Sequence, residues 1–445
     1  MNRLSSQAGK LIGRLISSLP AGTVLVGAGL GILGLAAYVY LAIAGHALDD
    51  REYADLAVLW TIVFSIGPGL FFPLEQELSR LVAARQAQGT GARSPVHRIA
   101  VVGGLILAGL LALTFLLRGF LAETLFSGQR QLVDVLAANL VALTAAHLSR
   151  GLLSGFGEFG RYGIQLALDG VLRCLLAVAL LLADIADPAS FGLVLAIAPL
   201  IAVGLTVNRR VVRPEPGPIV PYAEVTAGMG LLVASSLLWL AVVNASVVSA
   251  RVLATPAEAA LAGALLSGVI LARIPLFAYS SVQASLVPAL SGAAATGDRA
   301  GFRRLLTRTT VAVTALGGTG AAVCIAIGPW LVRVLFGSEA VLSRVDFAWL
   351  GIATAVYMVA SVIGQSSLAL AGHRDQALGW AAGFLALLAA TFAPGSILFR
   401  VELAYLVGSV VAGVVLTAQL VRRLRHWSRH LEQPVAATPP TGLID

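Results

Sequence analysis

The sequence predicts an all-α polytopic membrane protein: twelve transmembrane helices in two six-helix lobes related by a pseudo-two-fold axis. Three observations predict it: an apolar composition, apolar runs of spanning length, and an internal echo at nearly half the chain length. Of the 445 residues 58% are hydrophobic and only 12% charged, with a mean hydropathy of +0.90; soluble domains carry about 25% charged residues. The apolar runs cover roughly 20–44, 53–76, 98–117, 132–153, 162–183, 190–208, 223–250, 259–290, 305–327, 346–370, 377–396 and 401–421. A hydrocarbon core ~30 Å thick needs about 20 such residues per helix. Barrel strands would alternate in polarity, whereas these runs are apolar on every side, so helices are meant.

The elements follow in order. Residues 1–19 set Leu4, Leu11 and Leu15 apart from Arg3, Lys10 and Arg14, the pattern of a short interfacial helix. Run 1 is followed by Ala42-Ile43-Ala44, which imitates a signal cleavage site. It outlasts the 7–15 apolar residues of a signal peptide, and we read it as a retained helix. Its Gly27-x-x-x-Gly31 spacing would let another helix approach closely. Asp49, Asp50, Glu52 and Asp55 ahead of run 2 read as an ordinary helix start. Run 2 closes on GPGLFFPLEQELSR (67–80), run 4 on SRGLLSGFGEFGRYG (149–163) and run 10 on QSSLALAGHRDQALG (365–379). Cys174 and Cys324 fall in mid-run and read as packing residues.

After run 6, RRVVRPEPGPIVPY (209–222) holds Pro214, Pro216, Pro218 and Pro221, a stiff extended spacer. The predicted organisation is therefore an N-terminal lobe (1–208), a linker (209–222), a C-terminal lobe (223–421) and a tail (422–445). Pro73 and Pro288 lie 215 residues apart (288 minus 73), and Gly155 and Gly372 lie 217 apart (372 minus 155). The near agreement predicts a parallel repeat about an axis along the membrane normal.

Arginine fixes the expected orientation. With the N-terminus inside, 21 basic residues fall on inner segments and 7 on outer ones, while Arg173 and Arg273 lie within runs. Both termini are thus expected in the cytoplasm, at a cytoplasmic (inner) membrane. The net charge of +8 then faces anionic headgroups, not nucleic acid.

A charge inside the bilayer costs about 2.5–3.5 kcal/mol, so each needs a reason. Arg273, about 14 residues into its run and hence ~21 Å deep, is a candidate cavity cation for a phosphate group; the plain alternative is pairing with a nearby carbonyl. Asp169 and Arg173, four apart, share a helix face and can pair, either as a structural tie or as a cation-coupling or proton-relay site beside an anionic headgroup. Glu75 and Glu77, followed by Arg80, are expected at the inner mouth of run 2, as a gate closed on the arginines after run 8 or as a solvated helix end. His147 is a candidate titrating group or a packed histidine. Pro73, Pro275 and Pro288 are candidate hinges.

Catalytic patterns are absent from the sequence. Lys10 is the sole lysine, which excludes a Gly-x-x-x-x-Gly-Lys loop. No Cys/His spacing suits a metal, so neither enzyme activity nor a cofactor is expected.

Gly67-Pro68-Gly69, Pro73-Leu74-Glu75-Gln76-Glu77, Arg150-Gly151-Leu152-Leu153-Ser154-Gly155, Tyr162 and Asp169-Gly170 carry a family resemblance. With its twelve runs and duplication, the chain resembles the polysaccharide-biosynthesis branch of the multidrug/oligosaccharidyl-lipid/polysaccharide exporter superfamily. The resemblance implies two lobes around a central cavity that opens alternately to either side. It also implies a flippase of polyprenyl-diphosphate-linked oligosaccharide, with the lipid-linked glycan and the bilayer as partners and a glycan polymerase or glycosyltransferases as further ones. Related flippases of the peptidoglycan precursor use cavity arginines in helices 1, 2 and 8 and two extra helices. The chain has no arginine within runs 1 or 2 and stops at twelve, which favours another envelope polysaccharide. Two other readings stay open: a cation-coupled multidrug antiporter of the same superfamily, and a non-transporting scaffold for glycan synthesis.

Overall fold

The computed structural model describes residues 22–208, 211, 213–253, 265, 268–269, 271–336 and 342–432; the expected interfacial helix (1–19) lies outside them. Over their described residues the apolar runs coincide with helix, and no strand occurs among the described residues. The N-terminal lobe holds α1 (Thr23–Ala47), α2 (Asp50–Ile66), α3 (Phe72–Ala87), α4 (Arg93–Leu116), α5 (Arg118–Leu125), α6 (Arg130–Gly155), α7 (Phe159–Leu182) and α8 (Pro188–Thr206). The C-terminal lobe holds α9 (Tyr222–Leu253), α10 (Ile274–Ala295), α11 (Arg299–Phe336), α12 (Arg344–Ala369), α13 (His373–Thr391) and α14 (Ile397–Glu432). Nine helices among the described residues are long and apolar enough to cross a membrane, so this is a multi-pass membrane protein. The last helix runs on to Glu432, past the boundary expected at 421.

Local chemistry explains the boundaries. Asp49 caps α2 through a reciprocal box: Glu52 N donates to Asp49 Oδ1 at 2.8 Å, and Asp49 N donates to Glu52 Oε2 at 3.2 Å. The second span is a broken helix, because a π turn (Gly67–Phe71) separates α2 from α3. Pro73 has no N–H, and its ring would strike the Gly69 carbonyl in a continuous α-helix; the wider turn relieves that conflict. Residues 213–221 of the linker have no regular structure and cross the start of α4, where Arg93 N donates to Glu215 O at 3.0 Å and Val220 N to Ser94 Oγ at 2.8 Å. Lipid tails are as apolar as leucine, so helix association relies on close packing at small residues. Gly29 and Gly163 supply it between α1 and α7: a methyl group on either would overlap the backbone of the other helix. Gly31, half of the expected spacing, has nothing within 4 Å of its Cβ position.

The two lobes repeat, but in a different register from the one the prolines suggest. The turns that end equivalent helices set it, because each contains one left-handed residue. Gly157 (φ 75°) matches Ala371 (φ 58°), an offset of 214 (371 minus 157). Consistently, α6 and α12 both have 26 residues. Gly89 (φ 67°) matches Gly297 (φ 73°), an offset of 208 (297 minus 89). Pro73 lies 14 residues before the end of α3 (87 minus 73) and Pro288 only 7 before the end of α10 (295 minus 288). The offsets of 215 and 217 therefore do not pair equivalent residues.

The lobes meet along α3 and α10, with α1 against α10 and α9 against α3. Hydrogen bonds between the lobes, among the described residues, lie in the half of the bundle nearest the linker: Thr23 Oγ1 with Ser285 Oγ (2.7 Å), Gln76 with Gln365 (2.8 Å), Ser154 with Ala284 O (3.2 Å) and Gln88 with Ala295 O (3.3 Å). The linker end is shut.

Candidate functional site

Charge is concentrated inside the N-terminal lobe. The four-residue spacing of Asp169 and Arg173 on α7 closes as a bidentate pair, with Nε to Oδ1 at 2.8 Å and Nη2 to Oδ2 at 3.0 Å. A second guanidinium reaches the same carboxylate, since Arg150 Nη2 of α6 donates to Asp169 Oδ2 at 3.2 Å. In the sequence Arg150 counts among the basic residues of the inner segments, at the end of run 4. It lies within the last turns of α6, and its side chain is 11% exposed. Arg80, expected at the inner mouth of run 2, is buried in α3.

Next to this triad, Glu75 is held from two sides. Its Oε2 lies 2.7 Å from His147 Nδ1, and its Oε1 accepts from Tyr162 OH at 2.5 Å. The His147 ring stacks on Phe71, in the π turn. Gln165 donates to Ser149 Oγ at 2.7 Å, extending the polar core. Such connected networks keep buried polar groups paired and hold one arrangement.

His147, Arg150, Asp169 and Arg173 line a cavity of about 170 Å³ together with Phe64, Gly67 and Pro199, and Glu75 and Tyr162 lie outside its lining. Two guanidinium groups face it against one carboxylate. Arg173 Nη1 and Arg150 Nε are buried and have no hydrogen-bond partner in the protein. Guanidinium donors in that state call for an acceptor, and planar forked N–H groups suit phosphate oxygens. At ~30 Å³ per water the space holds about five waters, room for a phosphate group but not for an oligosaccharide.

The gate residues are not at the mouth of their helix. Glu75 and Glu77 lie 12 and 10 residues before the end of α3 (87 minus 75 and 87 minus 77), and both are buried. Glu77 pairs with Arg80 (2.8 and 2.5 Å) and, across the lobes, with His373 Nε2 (3.0 Å). Its partner is thus a histidine at the start of α13; the expected arginines after run 8 are not the partners of either glutamate. The His373 ring packs against Gly228 of α9, where an added Cβ would lie 2.8 Å from Nε2.

Arg273 sits at the break before α10. It hydrogen-bonds Val243 O and Asn244 Oδ1 (3.2 Å) of α9, so it has the carbonyl partner of the plain alternative. Pro275 occupies the first turn of α10, where no N–H is needed, and Pro288 lies inside that helix. Sequence reasoning misses Arg150, Tyr162 as a Glu75 partner, and His373. The dipeptide Arg150-Gly151 holds a signal for the first: Gly151 allows α6 to approach the Glu75 backbone, so Arg150 cannot lie on a free loop.

No family model matches the chain. The uncharacterized protein Rv1510 of Mycobacterium tuberculosis is 26% identical over 407 residues, covering 89% of this chain and 91% of that protein. The uncharacterized protein Rv3630 of the same organism is 38% identical over 121 residues, 25% of this chain and 27% of that protein. Among solved structures, the Vibrio cholerae MATE transporter VcmN in its bent form superposes with a TM-score of 0.76 over 96% of this chain and 99% of that chain, at 17% identity. An outward-facing multidrug resistance MATE family transporter of the MOP superfamily gives 0.73, at 10% identity over 93% and 96%. A MOP superfamily transporter from Pyrococcus furiosus gives the same score, identity and coverage, and is described by a reversed polarity of its binding pocket that suggests a different function. The chain has the two-lobed fold of MATE transporters.

Proposed function

We propose that the protein is a flippase that carries a polyprenyl-diphosphate-linked oligosaccharide across the membrane by alternating access. The observation that carries this reading is the N-lobe cavity, whose wall holds two buried guanidinium groups and one carboxylate, Asp169. Arg150 Nε and Arg173 Nη1 lack partners in the protein, while the neighbouring Glu75 is held by His147 and Tyr162 outside the lining. A phosphate of the carrier would take those donors while the prenyl chain stays in lipid. A multidrug antiporter for cationic drugs would need the opposite balance, because Asp169 here is already neutralised by Arg150 and Arg173.

The lobes are held by single hydrogen bonds and the Glu77–His373 contact, which can be exchanged for water as the linker end opens. That suits a rocking transporter better than a static scaffold. The π turn Gly67–Phe71 and the break at Arg273 ahead of Pro275 supply the bending points. In this reading the linker end faces the cytoplasm.

The test is reconstitution. Proteoliposomes carrying a fluorescent polyprenyl-diphosphate-linked saccharide should transfer it between leaflets with the wild-type protein, and at least about tenfold more slowly with Arg173→Gln. Equal rates with and without protein would overturn the reading.

A further inference from the structure

The C-terminal lobe holds the repeat-related partner of the charged site. By the offsets of 208 and 214, Gln283, Ser361 and Gln376 occupy the places of Glu75, His147 and Tyr162. These three line a small polar chamber where the lobes meet, together with Gln76, Ser235, Trp239, Gln365 and Trp380. No charged side chain is among its described lining residues. Its present volume is about 10 Å³, at the lower limit for a single water and closed to any ligand in this state. Gln76 Nε2 donates across it to Gln365 Oε1 at 2.8 Å, tying α3 to α12. Ser235 Oγ and Gln376 Oε1 are buried without a hydrogen-bond partner in the protein.

We infer that this chamber, opened by separation of the lobes, is a binding site for an uncharged sugar ring. A phosphate would find no cation there. A hydrocarbon would leave the separated Gln76 and Gln365 amides, Gln376 Oε1 and Ser235 Oγ unpaired, each at a cost of about 1–3 kcal/mol. A sugar ring offers many hydroxyls that both donate and accept, the capacity that amides and serines share. The indoles of Trp239 and Trp380 stand in the chamber wall, both packed against Tyr357. The assignment of the ring to a carrier rests on the proposed flippase reading. Glu75 turns toward His147, which lines the cavity, while Gln76 turns into the chamber, so the two sites flank α3 about one helix diameter, ~10 Å, apart. A phosphate in one and the adjoining sugar in the other is the arrangement we assign.

Binding to the purified protein in lipid nanodiscs tests this with two probes, inorganic diphosphate and the methyl glycoside of N-acetylglucosamine, read by calorimetry and tryptophan emission. The glycoside should bind with a dissociation constant of about 1–10 mM. Gln376→Leu and Trp380→Phe should each weaken it at least about tenfold, and Ser235→Ala, the mildest change, severalfold. Diphosphate binding should survive all three. Arg173→Gln should do the reverse. His373→Ala, by raising the open fraction, should tighten glycoside binding. Absence of glycoside binding in both wild type and His373→Ala would overturn the inference, as would binding that Gln376→Leu and Ser235→Ala leave unchanged. Loss of diphosphate binding alone would sink the phosphate reading and leave the sugar site standing.

Discussion

The two lobes place different chemistry at equivalent points of one scaffold. In the N-terminal lobe Glu75, His147 and Tyr162 adjoin a triad of Arg150, Asp169 and Arg173 that lines an open space. In the C-terminal lobe the first three positions become Gln283, Ser361 and Gln376, and the triad becomes Gly364, Gly383 and Leu387. An added Cβ at Gly383 would lie 2.7 Å from Ala412 Cβ and from Gly408 O of α14, so this position has no room for a side chain where the other lobe carries Asp169. The difference teaches that duplication supplied the packing, while the Glu75 and Asp169 clusters occur in one copy and the C-terminal lobe keeps its own charges, the part-buried Arg273 and the buried Glu402, at other positions. Buried charge demands partners, and each ionised group must be answered by another.

The largest expected break in this comparison is Asp169→Ala. It leaves Arg150 and Arg173 buried without a counter-charge and should destabilise the protein by about 3–5 kcal/mol, read as a fall in its thermal transition in detergent. The cross-lobe contact comes next. Glu77→Gln or His373→Ala removes one side of it and should shift the lobes toward opening at the linker end by about 1–2 kcal/mol, a factor of roughly 5–30. A cysteine at Ser285, introduced after replacement of Cys174 and Cys324, should then react with a maleimide faster by that factor. Gly228→Ala should act in the same direction more weakly, because its methyl group displaces the His373 ring without deleting it. The smallest effect is expected at Arg118→Ala. The Arg118–Asp134 pair joins α5 to α6 with both side chains over a third exposed, and its loss should cost under about 1 kcal/mol. A large effect there would blur the distinction between buried and surface charge.

Much of the scaffold was legible in the sequence. Spanning runs reveal themselves by length alone, the proline-rich linker by composition, and the Asp169–Arg173 pair by helical spacing. The repeat was legible as a fact but not in register. Prolines attract the eye, yet the equivalence is carried by the left-handed turn residues Gly89, Gly297, Gly157 and Ala371, one of which is not a glycine. The π turn was hidden because hydropathy does not register a one-residue change in helical winding. Arg150 and Arg80 were misplaced because arginines near the end of an apolar run resemble a cytoplasmic flank. The Glu77–His373 contact joins residues 296 apart (373 minus 77), and no local pattern announces a partner across two lobes. Arg273 shows the converse: it is the deepest cation by position, yet its guanidinium is spent on α9.

The central claim is that the N-lobe cavity receives a phosphate group. Isothermal titration of inorganic diphosphate into the purified protein tests it most directly, with Arg150→Gln and Arg173→Gln as paired variants. The account predicts binding to the wild type and a loss of about tenfold or more in each variant, since a charge-assisted hydrogen bond contributes roughly 1.5–3 kcal/mol. Failure of the wild type to bind diphosphate, or equal binding by all three proteins, would contradict it.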